Sequence, residues 1–138
     1  MFGLVVQIHN LFHWESRPGS GLKLAFLVVM LKDFRAFQLA KEFYQICKTL
    51  KIPVHIKDQL TRASSSIALN LAESSGERTE KEKERFFTMA RGSFFEAQAI
   101  LELEEIQDAK LIDIANQLGA ILYKLCRIAE KRQNLAPK

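Results

Sequence analysis

The stretch that decides the fold class is residues 59–76, QLTRASSSIALNLAESSG. Apolar side chains recur in it every three or four positions, at Leu60, Ala63, Ile67 and Leu71. This spacing predicts an amphipathic α-helix whose apolar stripe packs against other helices. The side chains beside the stripe are small and polar, which lets a neighbouring helix approach closely. They are Ser64, Ser65, Ser66, Asn70 and Ser74.

The same spacing of apolar residues continues on both sides of this stretch, so it lengthens this helix and predicts another helix before it. The first helix is expected over Asp33–Leu50, with Asp33 as its N-cap and Pro53 ending it. The second is expected over Val54–Ser75, closed by Gly76 in the left-handed conformation.

Two further helices follow in the C-terminal half. The third is predicted to start after Thr79, which can form a capping box with Glu82, and to end near Ile106. The fourth is predicted from the cap Asp108 to about Gln133. Four such helices with short loops predict an all-α, antiparallel up-down-up-down four-helix bundle. We expect Ile67 and Phe86 to face each other in its core.

The N-terminal end does not share this pattern. Residues 1–29 are predicted to be a non-conforming leader, and residues 30–138 the four-helix bundle domain. The leader is expected to be untranslated, with Met30 as the start, or else mobile or an extension of the first helix. The apolar run Leu24–Leu31 is too short to span a bilayer, and no cleavage site follows it. No membrane association is therefore predicted.

The net charge of +4 is unevenly spread along the 138 residues. Residues 96–109 hold five acidic residues and no basic one, whereas residues 110–138 hold six basic residues and two acidic ones. Such polarity suits self-assembly as well as nucleic-acid binding. Cys47 and Cys126 are far apart and form no C-x-x-C spacing, so we predict buried free thiols and a cytoplasmic location.

No pattern in the sequence points to catalysis. No Glu has a His three residues later, as a di-iron bundle requires, and the haem signature C-x-x-C-H is absent. Ser64, Ser65 and Ser66 have no His or Lys nearby to act as a base. We therefore predict a protein that is not an enzyme and that has no metal and no cofactor.

Several charged residues lie close to the apolar stripes of the second and third helices. Asn70, Glu73 and Glu96 are expected to be partly buried, with Arg85 and Arg91 as counter-charges. We interpret the five as a structural polar network that joins the two helices. A specific ligand site is the alternative interpretation.

Two stretches, residues 59–76 and RFFTMARGSFFE at 85–96, resemble a known family. It is the four-helix-bundle family encoded in intervening sequences of bacterial large-subunit ribosomal RNA genes, related to the accessory variability protein of diversity-generating retroelements. The resemblance covers about residues 31–133. Thr61 stands where the family commonly has a second Arg, and Ser74-Ser75-Gly76 replaces a tighter Glu-Gly turn. The matching positions are Gln59, Arg62, Ala63, Ser66, Ile67, Asn70, Ala72, Glu73, Arg85, Phe86, Ala90, Gly92, Ser93 and Glu96.

The resemblance implies a bundle without catalytic activity that forms rings, often pentamers. For the retroelement relative it implies binding to nucleic acid and to a partner reverse transcriptase. The function predicted here is accordingly a non-enzymatic homo-oligomeric scaffold that binds RNA or DNA. The alternative is a protein-binding adaptor with no nucleic-acid role.

Contacts to nucleic acid are predicted through phosphates alone, since the sequence shows no aromatic stacking set and no recognition helix. The predicted nucleic-acid-binding residues are Lys48, Lys51, Arg62, Lys124, Arg127, Lys131 and Arg132.

Overall fold

The structure, a computed structural model, describes residues 29–135. Residues 29–33 are helical, and no strand occurs between residues 29 and 135. The protein is thus all-α over this range, and the predicted leader, apart from Val29, lies outside the described residues. The four helices that follow are α1 Arg35–Thr49, α2 Val54–Gly76, α3 Glu80–Leu103 and α4 Ala109–Leu135.

The four helices enclose one core. Each helix packs against the next along the chain, and α4 packs against α1. The diagonal helices α1 and α3 meet through side chains at the centre, where the Phe43 and Phe94 rings lie 6.1 Å apart at 56°. Leu60 of α2 and Leu118 of α4 are fully buried in the same cluster. No helix within residues 29–135 is long and apolar enough to cross a membrane.

The close packing of α3 on α4 depends on Gly119. A Cβ atom built at this position would lie 3.0 Å from Cε1 of Phe94, closer than side-chain atoms normally approach. An added side chain would therefore require the Phe94 ring to shift within the core.

Two predicted helix caps are confirmed. The Glu82 N–H donates to Oγ1 of Thr79 at 3.2 Å, and the Thr79 hydroxyl donates to Oε2 of Glu82 at 2.8 Å. At the start of α4, the Leu111 N–H donates to Oδ1 of Asp108 at 2.8 Å. Each cap satisfies a backbone donor that has no partner inside its helix.

The predicted cap of α1 is wrong. Phe34 occupies the N-cap position of α1 and makes no side-chain capping bond. Asp33 belongs instead to the helical turn formed by residues 29–33. Gln38 ties this turn to α1, because its Nε2 donates to the carbonyl of Leu31 at 2.7 Å.

The predicted left-handed closure of α2 is also wrong. Gly76 is the last residue of the helix, and no described glycine has a positive φ. The hydroxyls of Ser74 and Ser75 donate to the carbonyl of Leu71, at 2.6 and 3.2 Å, so side chains already satisfy the acceptor there.

Helix α3 ends earlier than the predicted Ile106. The Ile106 N–H donates to the carbonyl of Leu101, and the Glu105 N–H to that of Glu102, at 3.0 and 3.1 Å. This pair of bonds is the Schellman motif. Its left-handed position, usually a glycine, is Glu105 with φ 51°. No glycine marks this helix end in the sequence, because a glutamate takes the left-handed position.

The face that α3 turns to the core is displaced from the predicted one. Phe87 and Phe94 are buried, whereas Phe86 is only partly buried. Adjacent positions on a helix differ by about 100° in direction, so one of two neighbouring phenylalanines must leave the core. The predicted burial of Ile67 is confirmed.

Replacing Phe94 by Ala should lower the free energy of unfolding by about 3–5 kcal/mol, and replacing Ile67 by Ala by about 2–5 kcal/mol, because each leaves a cavity. Phe86→Ala should cost clearly less than Phe94→Ala, since its ring is partly in solvent. Urea unfolding followed by circular dichroism measures the three values. Equal costs for the two phenylalanines would show that the assigned core face of α3 is incorrect.

Candidate nucleic-acid interface

Three basic residues of α4 form one exposed row, here called the α4 basic row: Lys124, Arg127 and Lys131. They are three and four positions apart, so they lie on successive turns of one helix face. Leu118 and Leu122 occupy the opposite, buried face. None of the three side chains forms an ion pair with a carboxylate of residues 29–135. Their charges are therefore available to an anion from outside.

Arg132, predicted to act with this row, points elsewhere. Its Nη1 lies 3.7 Å from Oε2 of Glu80, which also pairs with Lys83 at 3.1 Å. Arg132 therefore links the end of α4 to the start of α3, and part of its charge is compensated.

The other predicted basic residues are separate from the row. Lys48, Lys51 and Arg62 are all exposed, and the Lys48 ammonium lies 5.1 Å from the centre of the Tyr44 ring. Arg62 is on α2, which does not pack against α4. The structure thus brings three of the seven predicted residues into one row and leaves these three elsewhere.

The end of the acidic segment lies far from the row. Its last member, Asp108, caps α4, and Lys124 follows 16 positions later. At a rise of 1.5 Å per residue the two are about 24 Å apart along the helix. This exceeds the screening length of about 8 Å at physiological salt, so Asp108 does not cancel the field of the row.

The polar contact between α2 and α3 consists of small residues. Ser66 Oγ and Ser93 Oγ are 2.9 Å apart, and Asn70 Nδ2 donates to the carbonyl and hydroxyl oxygens of Ser66 at 2.8 and 3.1 Å. These bonds satisfy polar groups where two helices are in close contact. Of the predicted network, only Asn70 takes part in them.

The charged members of the predicted network are placed differently. Glu73, Arg85 and Glu96 are exposed, so the predicted burial of the two carboxylates is wrong. The two serine side chains that meet across the contact are small and uncharged, whereas the two carboxylates lie in solvent, where their charges need no buried partner. The Arg85 guanidinium lies 5.7 Å from the centre of the Phe86 ring, and Arg91 faces α4 instead of α2.

A groove of about 460 Å³ runs between α3 and α4. Two exposed aromatic side chains border it, Phe95 at 59% and Tyr123 at 57% of their full accessible area. The sequence predicted no set of aromatic residues for stacking, and the two rings of this groove lie on different helices that the fold brings together. Its lining consists of Arg91, Phe94, Phe95, Gln98, Ala115, Asn116, Gly119, Ala120 and Tyr123.

A known protein family matches the helical part of the chain. Residues 34–131 match the family described as 23S rRNA-intervening sequence protein. The chain belongs to this family.

The match to the 23S rRNA-intervening sequence protein family begins at the cap of α1 and ends in the last turns of α4. It therefore includes the α2–α3 contact, the α3–α4 groove and the α4 basic row. No curated protein and no solved structure matches the chain.

Reactive or metal-binding groups are not assembled in the part of this family member that the structure describes. No three residues among His, Cys, Asp and Glu of positions 29–135 come together as a metal site. Burial raises the pKa of Cys47 to about 12, and a hydrogen bond with Ser64 opposes this only in part. Burial also raises the pKa of Cys126, against the opposing charge of Arg91.

We expect Cys47 to resist thiol reagents at pH 8, because only the thiolate reacts and the raised pKa keeps this group protonated. Cys126, which is slightly more accessible and lies near Arg91, should react first. A chromogenic disulfide reagent applied to Cys47→Ala and Cys126→Ala gives the two rates. Both thiols should react rapidly in urea, and a fast reaction of Cys47 in the folded protein would contradict its burial.

Proposed function

We propose that this chain is a non-enzymatic, homo-oligomeric helical scaffold that binds nucleic acid non-specifically through basic helix faces. The observation that carries the proposal is the α4 basic row, three exposed cations on one helix face without carboxylate partners. A row of this kind suits a repeating row of phosphates, since phosphate contacts supply most of non-specific affinity.

The scaffold is, in this proposal, an antiparallel up-down-up-down bundle. Arg35 Nη2 donates to Oε1 of Gln117 at 2.9 Å, and Lys110 pairs with Glu42 at 3.0 Å. From the first contact to the second, the residue number rises by seven on α1 and falls by seven on α4, which supports antiparallel directions for these two helices. Connections of three to five residues between the helices support the same order, because they leave the chain no room to return.

RNA is the nucleic acid that we consider first. The family description names proteins of 23S rRNA intervening sequences, which associates the family with ribosomal RNA genes. The α4 basic row carries no base-reading pattern of its own, so its contacts would position a strand and leave its sequence unread.

Self-association is supported by apolar side chains beside the α2–α3 contact. Leu69, three residues after Ser66, is 64% exposed, and Met89, four residues before Ser93, is also exposed. In an antiparallel pair of helices these positions lie at the same level. Two exposed apolar side chains on one face suit a subunit contact, because association would remove both from water. A ring would present several α4 basic rows to one strand. The ring size to test first is five subunits.

The proposal also includes a cellular location and a set of binding partners for the protein. The two described cysteines, Cys47 and Cys126, are free thiols, which favours the cytoplasm. The partners proposed are further copies of the chain, RNA or DNA, and a reverse transcriptase as a protein partner on the basis of the resemblance.

An adaptor without a nucleic-acid role is the second candidate. Leu103, at the end of α3, is 80% exposed and is flanked by Glu102, Glu104 and Glu105. An apolar side chain among carboxylates suits a basic protein partner. Recovery of a protein partner after nuclease treatment, together with no RNA binding at low salt, would favour this function.

Replacing Lys124, Arg127 and Lys131 together by Gln should weaken RNA binding equally for all sequences. At about 0.7 per phosphate contact on a single strand, the slope of log affinity against log salt should fall by about 2. Fluorescence anisotropy with labelled RNA at several salt concentrations measures it. The matched control replaces Lys32, Lys41 and Lys81 by Gln, three exposed lysines outside the predicted binding residues, which removes the same net charge. An equal loss in both variants would point to net charge alone, and salt-independent binding would reject the proposal.

Light scattering should give a mass that is a multiple of 15.8 kDa for the protein at micromolar concentration. Leu69→Glu should reduce this mass, because a carboxylate cannot be buried in an apolar subunit contact without a partner. Val54→Glu is the matched control, since Val54 is also an exposed apolar residue of α2 but lies at its first turn. A mass of 15.8 kDa at all concentrations would remove self-association from the proposed function.

A further inference from the structure

We propose that the groove between α3 and α4 binds an unpaired nucleobase of a single strand, with Phe95 and Tyr123 as the stacking side chains. The inference rests on the proposed function, because it assumes that the strand is already held at the α4 basic row. It adds a site that discriminates unpaired from paired nucleic acid.

The two aromatic side chains are positioned to receive a planar group. Phe95 is on α3 and Tyr123 on α4, and more than half of each side chain is exposed. Phe95 contacts the buried Phe94 at 6.2 Å and 45°, whereas no ring contact joins Phe95 to Tyr123. Each ring therefore keeps a face for another partner. Base–aromatic stacking tolerates any base, because every base has a π-face.

The floor of the groove leaves room between the two rings. Ala115, Gly119 and Ala120 form it on the α4 side. The groove has a volume of about 460 Å³ and is open to solvent, so a base can enter it from outside. A Cβ atom at Gly119 would require the Phe94 ring to shift, so glycine fits this part of the floor most easily.

Polar groups converge on the same space. Arg91 is partly buried and forms no ion pair with a carboxylate of residues 29–135. The side-chain amides of Gln98 and Asn116 make no hydrogen bond with the described residues, although both line the groove. An amide offers both a donor and an acceptor, which matches the edge of any base. No carboxylate lines the groove, so an anionic strand meets no repulsion inside it.

The groove is continuous with the α4 basic row. Tyr123 is followed at once by Lys124, and Arg127 lies one turn further along the same helix. A nucleotide whose base is stacked at Tyr123 can therefore have its phosphates at Lys124 and Arg127. This arrangement combines a stacking side chain with a basic track, as in proteins that bind single strands without sequence preference.

Carboxylates lie near both ends of the groove. Asp113, two positions before Ala115 of the groove lining, accepts a hydrogen bond from Gln117 at 2.9 Å. Glu84 of α3 lies close enough to Cys126 to affect its pKa. These negative charges disfavour a long anionic strand lying along the groove, whereas a single base carries no charge.

The test uses the full chain with two RNA probes of one sequence, a single strand that carries 2-aminopurine and the same strand in a duplex. The variant is Phe95→Leu with Tyr123→Leu, which keeps an apolar surface but removes the rings. Phe86→Leu is the matched control, because it removes a ring from the side of α3 that is turned away from α4. Circular dichroism and light scattering without RNA verify that each variant keeps its fold and mass.

The wild-type protein should quench 2-aminopurine and bind the single strand more tightly than the duplex. The double Leu variant should lose the quenching and at least about fivefold of single-strand affinity, with the salt slope and duplex affinity unchanged. The Phe86→Leu protein should behave as wild type.

Three results would overturn the inference. Unchanged quenching and affinity in the double variant, with salt-dependent binding retained, would remove the groove site but keep the proposed function. A changed mass of the double variant without RNA would identify the groove as a contact between subunits. Absence of wild-type binding to both probes at low salt would reject the proposed function and the site together.

Discussion

The contact of Phe94 with Gly119 determines how α3 and α4 are arranged, and much of the molecule depends on it. The absence of a side chain at Gly119 lets the Phe94 ring lie against the backbone of α4, where it also meets Phe43 of α1. Along the same stretch, Ala115 and Ala120 keep the outer surface low between Phe95 and Tyr123. The centre of the core and the groove on the surface therefore have one cause, a run of small residues on α4.

A similar principle acts between α2 and α3, with a different chemical result. The side chains there are small but polar: Ser66 bonds with Ser93 across the contact, and Asn70 donates to Ser66 within α2. Charged groups are left outside, so that Glu73 and Glu96 face the solvent. On the side of α4, α3 packs closely because Gly119 has no side chain. On the side of α2, it packs closely because the facing groups are small and hydrogen-bonded.

Much of the fold could be predicted from the sequence, because periodicity and caps are properties of one segment at a time. The caps at Thr79 and Asp108 were visible, since a single side chain makes each bond. The left-handed conformation of Glu105 could not be predicted, because a glutamate carries no sequence signal for that conformation and the surrounding structure imposes it. The α4 basic row was predictable because it lies on one helix. The α3–α4 groove was not, since its two aromatic rings are 28 positions apart in the sequence.

Two connections of the proposed up-down-up-down bundle carry opposite charge. In that proposed order, the α1–α2 connection with Lys51, preceded by Lys48, lies at the same end as the α3–α4 connection with Glu104, Glu105 and Asp108. One side of this end is cationic and the other anionic, which is a heterologous pair of surfaces. In the homo-oligomer proposed above, the cationic side of each subunit is complementary to the anionic side of the next, and this contact closes a ring when the rotation between subunits divides a full turn. An ionic contact of this kind weakens as salt rises, so the proposed assembly and the proposed RNA binding would share one dependence on salt.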